Sequence, residues 1–437
     1  MTRFIALIAA WICLSLPLRA EVDIQEVTSP GGFTAWLVES HDIPFTALEI
    51  RFRGGASLDA PGKRGAINLM TGLIEEGAGD MDARAFAAAR DALAASFRFD
   101  VHNDALSVSA RFLTENRDEA VALLRQALVD PRFDQDAVDR VRAQVLSGIQ
   151  SDDKDPDTIA SRTIRRMAFG DHPYGSDLEG TAESVTALTR DDIVDARARV
   201  MAQDRVYVSA VGDIDAETLG QVMDQLLGDL PETGADLPPK PEYGLSGGLT
   251  VVDFDTPQSV AVFGHQGIER HDPDFFAAYV LNEVLGGGGF GSRLMEEVRE
   301  KRGLTYGVYS YLMSLDQANM VMGRVASAND RISEAIQVIG DEWAKAATDG
   351  VTQEELDAVK TYLTGAYPLR FDGNAPIANI MVGMQMEELG IDYIATRNDK
   401  VNAVTLDDIK RVAARILDPE ALHFVVVGQP AGLNAGN

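Results

Sequence analysis

Hydrolysis at a metal needs donors converging on one point, most simply two histidines one helical turn apart with a carboxylate nearby. The six histidines (His41, His102, His172, His265, His271 and His423) contain no such pair, and the nearest two, His265 and His271, lie six residues apart across a loop-like stretch. They suit surface and capping roles. No Gly-x-Ser-x-Gly elbow or nucleotide-type phosphate loop occurs. The loudest local signal is Leu285-Gly-Gly-Gly-Gly-Phe-Gly-Ser-Arg-Leu294, in which Gly286, Gly287, Gly288 and Gly289 lead to Ser292. Ser292 is placed to cap a helix opening at Arg293. Such a turn can cradle an anion or a peptide backbone on its N–H groups, and it can equally be a tight connection between two helices.

The N-terminus reads as an address. Arg3 gives a positive start, Phe4 to Leu18 is almost wholly apolar, and Leu18-Arg19-Ala20 ends on a small residue, the layout of a secretory signal over residues 1–20. The run is shorter than the ~20 residues that span a bilayer comfortably. Trp11 and Ile12 precede Cys13 where a lipid-accepting cysteine wants small residues. Cleavage after Ala20 would remove Cys13, the one cysteine, so the mature chain would have neither thiol chemistry nor a disulfide. The expectation is an exported, soluble, periplasmic protein. Against 39 Lys and Arg stand 68 Asp and Glu, a net charge of −29, which argues against a nucleic-acid binder and against attraction to anionic lipid. With 46% apolar and 24% charged residues, the 437-residue chain has ordinary globular composition and material for several cores.

Elements that could position a site come in two copies. A proline-rich stretch, 231–248, with Pro238, Pro239 and Pro241, reads as a linker. It separates an N-terminal domain, 21–230, from a C-terminal domain, 249–430, with 431–437 as a flexible tail. Val185-Thr-Ala-Leu-Thr-Arg-Asp-Asp-Ile193 recurs as Val401-Asn-Ala-Val-Thr-Leu-Asp-Asp-Ile409 at an offset of 216, which also carries Val211-Gly212 onto Val427-Gly428. In both copies Thr precedes Asp-Asp as a helix N-cap, and an amphipathic helix and a β-rich run follow. Within a copy the periodicities alternate. Leu48, Ile50 and Phe52 alternate with Glu49 and Arg51 as a half-buried strand, and two more alternating runs flank His102-Asn-Asp104 as a hairpin. Helical stripes fall at 67–74, 83–95, 119–128 and 138–149, then at 275–285, 292–301, 331–346 and 353–366, with strands at 260–263, 305–312 and 320–325. The fold class is α+β: two homologous domains, each a mainly antiparallel sheet with helices packed on one face.

The continuation Glu296-Glu-Val-Arg-Glu-Lys-Arg-Gly-Leu-Thr-Tyr306-Gly-Val-Tyr-Ser places Gly303 at a helix end, with Tyr306, Val308 and Ser310 on one face of a strand. Together with Gly-Asp-His172-Pro-Tyr174-Gly and the duplication, it closely resembles the pitrilysin family, the insulinase-like zinc peptidases that include the mitochondrial processing peptidase subunits. The resemblance covers nearly the whole mature chain. It implies that such a chain forms half of a clam-shell. It also implies an inverted zinc motif, His-x-x-Glu-His, on an early helix, with a third ligand, Glu, on a later one. The matching segment is Gly65-Ala-Ile-Asn-Leu-Met-Thr-Gly-Leu-Ile74. Asn68 and Gly72 stand at the histidine positions, Thr71 at the base, Gly148 at the third ligand and Val141 at its supporting acid. No cofactor is expected in this chain.

The resemblance also implies a role for an Arg and a Tyr seven residues later in the second domain, which face the zinc and hold substrate and tetrahedral intermediate. Arg299 and Tyr306 match them. A permanently charged guanidinium and a phenol O–H can both donate to a carbonyl as negative charge develops. The alternative is that Arg299 pairs with Glu296 one turn back and Tyr306 is an ordinary half-buried strand residue. Lost first-domain chemistry beside a retained pair matches the bacterial heterodimers of the family. The expected partner is a homologous subunit with an intact His-x-x-Glu-His motif that carries the zinc, acting on peptides, with Gly286–Ser292 as chamber lining or hinge. A non-catalytic peptide-binding or scaffold protein on the same fold is the alternative.

Overall fold

Apolar alternation builds the sheets as expected, and the computed structural model describes them over residues 22–433. The signal-like segment 1–20 and the last residues of the tail lie outside the described residues. The first half holds β1 (Gln25–Thr28), β2 (Thr34–Glu39), β3 (Phe45–Arg53), a two-residue ribbon β4 (Gly77–Ala78) and β5 (Met81–Asp82), then β6 (Ser96–Val101), β7 (Ala105–Leu113) and β8 (Val206–Gly212). The second holds β9 (Gly248–Asp253), β10 (Gln258–Gln266), β11 (Val308–Ser314), β12 (Asn319–Ala328) and β13 (His423–Gly428). The main sheets run β1-β2-β8-β3-β7-β6 and β11-β12-β10-β13-β9. Read from the other end, the second repeats β2-β8-β3-β7-β6 strand for strand, down to one parallel pair in each, β2 with β8 and β9 with β13. The duplication is therefore one of topology as well as sequence, with β1 added at the first sheet's edge. Thr189 and Thr405 close reciprocal capping boxes with Asp192 and Asp408 on the helices Arg190–Val200 and Leu406–Ile416.

One face of each sheet carries its own helices. Leu48, Ile50 and Phe52 pack with Ile67, Leu69 and Met70 in the first core, and Ala261, Phe263 and Val325 pack with Ile339 and Trp343 in the second. The other face was expected to meet solvent and does not. The helix Pro156–Phe169 of the first half lays Ala160, Ile164 and Ala168 on Val262, Met322 and Val425 of the second sheet. In return the helix Asn374–Met386 of the second half lays Ala378, Met381 and Met384 on Trp36, Ala47 and Val211 of the first. Ser209 Oγ donates to the Ala378 carbonyl at 2.6 Å, and Gln385 Nε2 to that of Val208 at 2.8 Å. Glu49, expected on a half-buried strand, is consequently only 6% exposed. Burial raises its carboxyl above the usual range, and the Ser109 hydroxyl, donating at 2.8 Å, opposes this.

Residues 228–247 hold neither helix nor strand. They are nonetheless tied down: Ala235 N–H donates to Arg199, Gly244 N–H to Ala168, and the Pro239 carbonyl lies 2.9 Å from His172 Nε2. Among the described residues no helix is long and apolar enough to cross a membrane.

Candidate functional site

Three expected elements around the site differ from their helical and strand readings. The helix Phe275–Asn282 continues as a wider π-helical turn, Glu283–Gly287, and a second π-helical turn, Met295–Glu300, carries Arg299. Such turns are rare and often mark functional sites. Ser292 has the extended backbone of an N-cap and its carbonyl accepts from Glu296, but its hydroxyl turns back to donate to Gly289 at 2.9 Å. Strand β11 begins at Val308, so Tyr306 lies just ahead of it.

Glycine has distinct reasons along the turn. A Cβ on Gly286 would stand 2.4 Å from Ser310 Oγ and 2.7 Å from Ser310 N, so only a bare backbone lets the turn lie against β11. Asn282, buried beneath, receives the Ser310 hydroxyl at 2.8 Å and donates to its carbonyl at 3.2 Å. The Val308 N–H points at Met295 Sδ at 3.5 Å. The turn thus covers the outer edge of β11 at Val308 and Ser310. Gly289, at φ +60°, takes the left-handed conformation with open space where a Cβ would be. Glu283 beside Gly287 has its carboxyl raised by burial, against the pull of Arg370 and Arg397.

Tyr306 is presented, not packed. Gly303 N–H closes on the Arg299 carbonyl at 2.7 Å, and Thr305 Oγ1 donates to Ala326 of β12 at 2.6 Å. The backbone either side is therefore anchored while the Tyr306 side chain stays 89% exposed. Arg299 holds its Nε 3.6 Å from Glu300, whereas Glu296, its expected partner in the purely structural reading, pairs with Lys301 at 3.0 Å. Two residues not singled out from sequence are also exposed aromatics: Tyr309 and Tyr311, 45% and 43% exposed, with ring centroids 6.3 Å apart. Their i,i+2 spacing on a strand was the available signal.

The first-half positions are built for packing. The helix Ala66–Thr71 is capped by Asp59, which accepts from Gly65 and Ile67 N–H at 2.8 Å each. Thr71, 6% exposed, donates back to Ile67 at 2.7 Å. A Cβ on Gly72 would come 3.1 Å from Val141 on the helix Gln135–Asp152. The two helices that would present ligands therefore touch, but through an apolar contact. Gly148 faces open space. Asn is a poor zinc ligand, and neither Thr nor Gly can act as a carboxylate base, so these residues do not fit zinc. Among the described residues no group of three or more His, Cys, Asp or Glu is placed to hold a metal ion.

Residues 35–182 match the family described as insulinase (peptidase family M16), and residues 187–363 match the peptidase M16 inactive domain. The "non-peptidase homolog YmxG" of Helicobacter pylori is 27% identical over 390 residues, covering 89% of this chain and 90% of its own length. An "uncharacterized zinc protease YmxG" of Bacillus subtilis is 24% identical over 350 residues, 80% and 85% of the two lengths. The crystal structure of a peptidase M16 inactive domain from Pseudomonas fluorescens superposes with a TM-score of 0.88 at 27% identity, covering 95% of this chain and all of that one. Both matched stretches thus point to the same family, the one over residues 187–363 as its inactive domain, and the fold repeats that of a solved member. The chain belongs to the insulinase-like M16 family.

Proposed function

We propose that this chain is the zinc-free subunit of an exported, periplasmic heterodimeric metallopeptidase, and that it supplies Arg299 and Tyr306 to the active site of a homologous zinc-binding partner. The observation that carries the reading is a tyrosine held 89% exposed on an anchored backbone, seven residues after Arg299. Surface tyrosines with anchored main chains are suited to meeting something outside the chain. A metal held by the partner would supply the activated water. Arg299 and Tyr306 donate to the scissile carbonyl oxygen as charge accumulates on it, without reorganising at the moment of reaction. The glycine turn, Gly286 to Gly289 with Ser292, lines the chamber beside them. A peptide adding as a strand would use the β6 edge, which pairs with β7 alone. There the ladder's alternation, fixed by His102 N–H donating to Ala105, turns the backbone groups of Phe97, Phe99 and Val101 outward.

The test is cleavage of a quenched peptide by the mature chain, by an intact His-x-x-Glu-His homologue, and by the two mixed. Activity confined to the mixture, and lost on Arg299→Ala or Tyr306→Phe, is the expected result. Activity indifferent to this chain or to those changes would favour the second reading, a peptide-binding or scaffold protein, with which a relative named a non-peptidase homolog also agrees.

A further inference from the structure

The two halves meet through more than their exchanged helices. The turn between β11 and β12 reaches across to the first half, where Asp316 N–H donates to Asp104 Oδ2 at 3.1 Å and Gln317 N–H donates to Tyr174 Oη at 3.2 Å. Tyr174, fully buried, donates in turn to Asp104 Oδ1 at 2.5 Å. The Asp316 carboxylate sits 3.1 Å from Arg53 at the end of β3, and Arg53 also donates to the Met386 carbonyl and lies 4.0 Å from Glu388. Beside this knot opens a cavity of about 340 Å³, which Glu387 also lines.

Charge in this gap does not balance. Its carboxyls are Asp104, Asp316, Glu387 and Glu388, the guanidiniums facing them are Arg53 and Arg270, and Arg51, which also acts on Glu387, is matched by Glu49. Arg270 lies 3.9 Å from Glu387, donates to Tyr393 Oη at 2.9 Å and stacks on Phe275. Lys240 and Glu269, 2.8 Å apart on the rim, cancel each other, and His271 adds a cation only when protonated. Fully ionised, the gap holds two more negative than positive groups in a region of reduced dielectric.

We propose that the Asp104–Asp316–Glu387 cluster is a proton-loaded latch between the two halves, closed when it carries a proton and weakened when every carboxyl is ionised. This does not depend on the shared-site reading. Burial raises all three carboxyls, and Asp316, with Asp104 and Glu388 adding to burial and Arg53 opposing it, reaches about 6. Released from the contact, Asp316 returns to an ordinary carboxylate value of about 3.9. The latched state is therefore favoured most at low pH. Its advantage is lost as pH rises from about 4 to about 6 and is constant above that.

Hydrogen exchange of the Asp316 and Gln317 amides in the full-length mature chain, corrected for the intrinsic rate, tests this between pH 4 and 7. Their protection should fall by about tenfold or more up to pH 6 and then level off. The Gly244 amide, which donates to Ala168 away from the cluster, controls for global loss of structure. Asp316→Asn, neutral at every pH and still an acceptor for Arg53, should flatten the profile, and Asp104→Asn is the second variant should the first misfold. Wild-type protection that tracks Gly244 across the range, or a slope unchanged in the folded Asp316→Asn protein, would overturn the latch.

Discussion

Tyr306, at 89% exposure, contributes almost nothing to the stability of the isolated chain. Tyr306→Phe should change the unfolding free energy of this chain, from urea titration, by less than about 0.5 kcal/mol. If, as proposed, the hydroxyl stabilises a developing oxyanion at a partner's site, the same change should lower kcat of the mixture with that partner by about 10²-fold. The two outcomes together separate function from packing, because a tyrosine held for structure would show the reverse pattern. Metal dependence divides the same way. With no group of three or more His, Cys, Asp or Glu placed to hold a metal among the described residues, EDTA should leave the melting temperature of this chain alone unchanged, whereas a ligand that bound the native state would raise it. A chelator-sensitive Tm for this chain by itself would refute that. That Asn68, Thr71, Gly72 and Gly148 offer no such group was legible in the sequence, since it is a matter of residue type. The presentation of Tyr306 was not, because its alternation with Val308 and Ser310 reads as a strand, and only the Gly303 turn and the Thr305 anchor hold it clear of one.

The glycine turn is where element geometry overrode local propensity. A helix, a cap and a second helix were expected, and two π-helical turns stand there instead. They are held against β11 by Asn282, Ser310 and Met295, contacts far apart in sequence. Gly286→Ala should cost about 1–3 kcal/mol in urea unfolding, because its Cβ meets Ser310 at 2.4 Å. Gly289→Ala, with open space around it, should cost only the left-handed backbone penalty of about 1 kcal/mol. Equal effects would mean the turn does not sit on the strand as described. The exit of the turn is fastened by Arg293, whose Nε and Nη2 grip Glu355 at 2.5 and 2.7 Å on the helix Gln353–Ala366. Burial opposes ionisation of Glu355, but Arg293 and the Thr352 cap outweigh it and hold the carboxyl down at about 2. A depressed carboxyl stabilises above the unfolded value near 4.3, and the contribution is lost as pH falls through about 2. Glu355→Gln should therefore destabilise by about 1 kcal/mol at pH 7, discounted for its partial exposure, and by much less near pH 2. Paired denaturant curves at the two pH values check this.

Across the whole molecule, the exchanged helices make the halves interdependent. Without the helix Asn374–Met386, Trp36, Ala47 and Val211 would face water, and the second sheet loses Ala160, Ile164 and Ala168 in the same way. The intact chain should therefore unfold in a single calorimetric transition, and residues 22–247 expressed alone should aggregate or remain unfolded. Two resolved transitions, or a soluble cooperative N-terminal fragment, would show that the exchange adds little to stability. The pinned segment 228–247 points the same way: its prolines read as a linker, and its carbonyls and amides are tied to Arg199, Ala168 and His172.

Sequence by itself determined the class of the fold, the duplication and the family, because periodic burial, capping pairs such as Thr189 with Asp192, and glycine positions are local and repeat at one offset. It also determined what these positions cannot supply, since Thr71, Gly72 and Gly148 carry neither imidazole nor carboxylate in any arrangement and Asn68 is a poor zinc ligand. Tertiary structure alone decided what lies on the second face of each sheet. Polar positions such as Glu49 and Arg51 spell a solvent face, and a helix from the other half covers it, leaving Glu49 buried and Arg51 half-buried with Asn379 accepting from it at 2.6 Å. It likewise decided that Asp104, Tyr174 and Asp316 form one cluster, because groups 70 to 212 residues apart meet only through the packing of the two sheets.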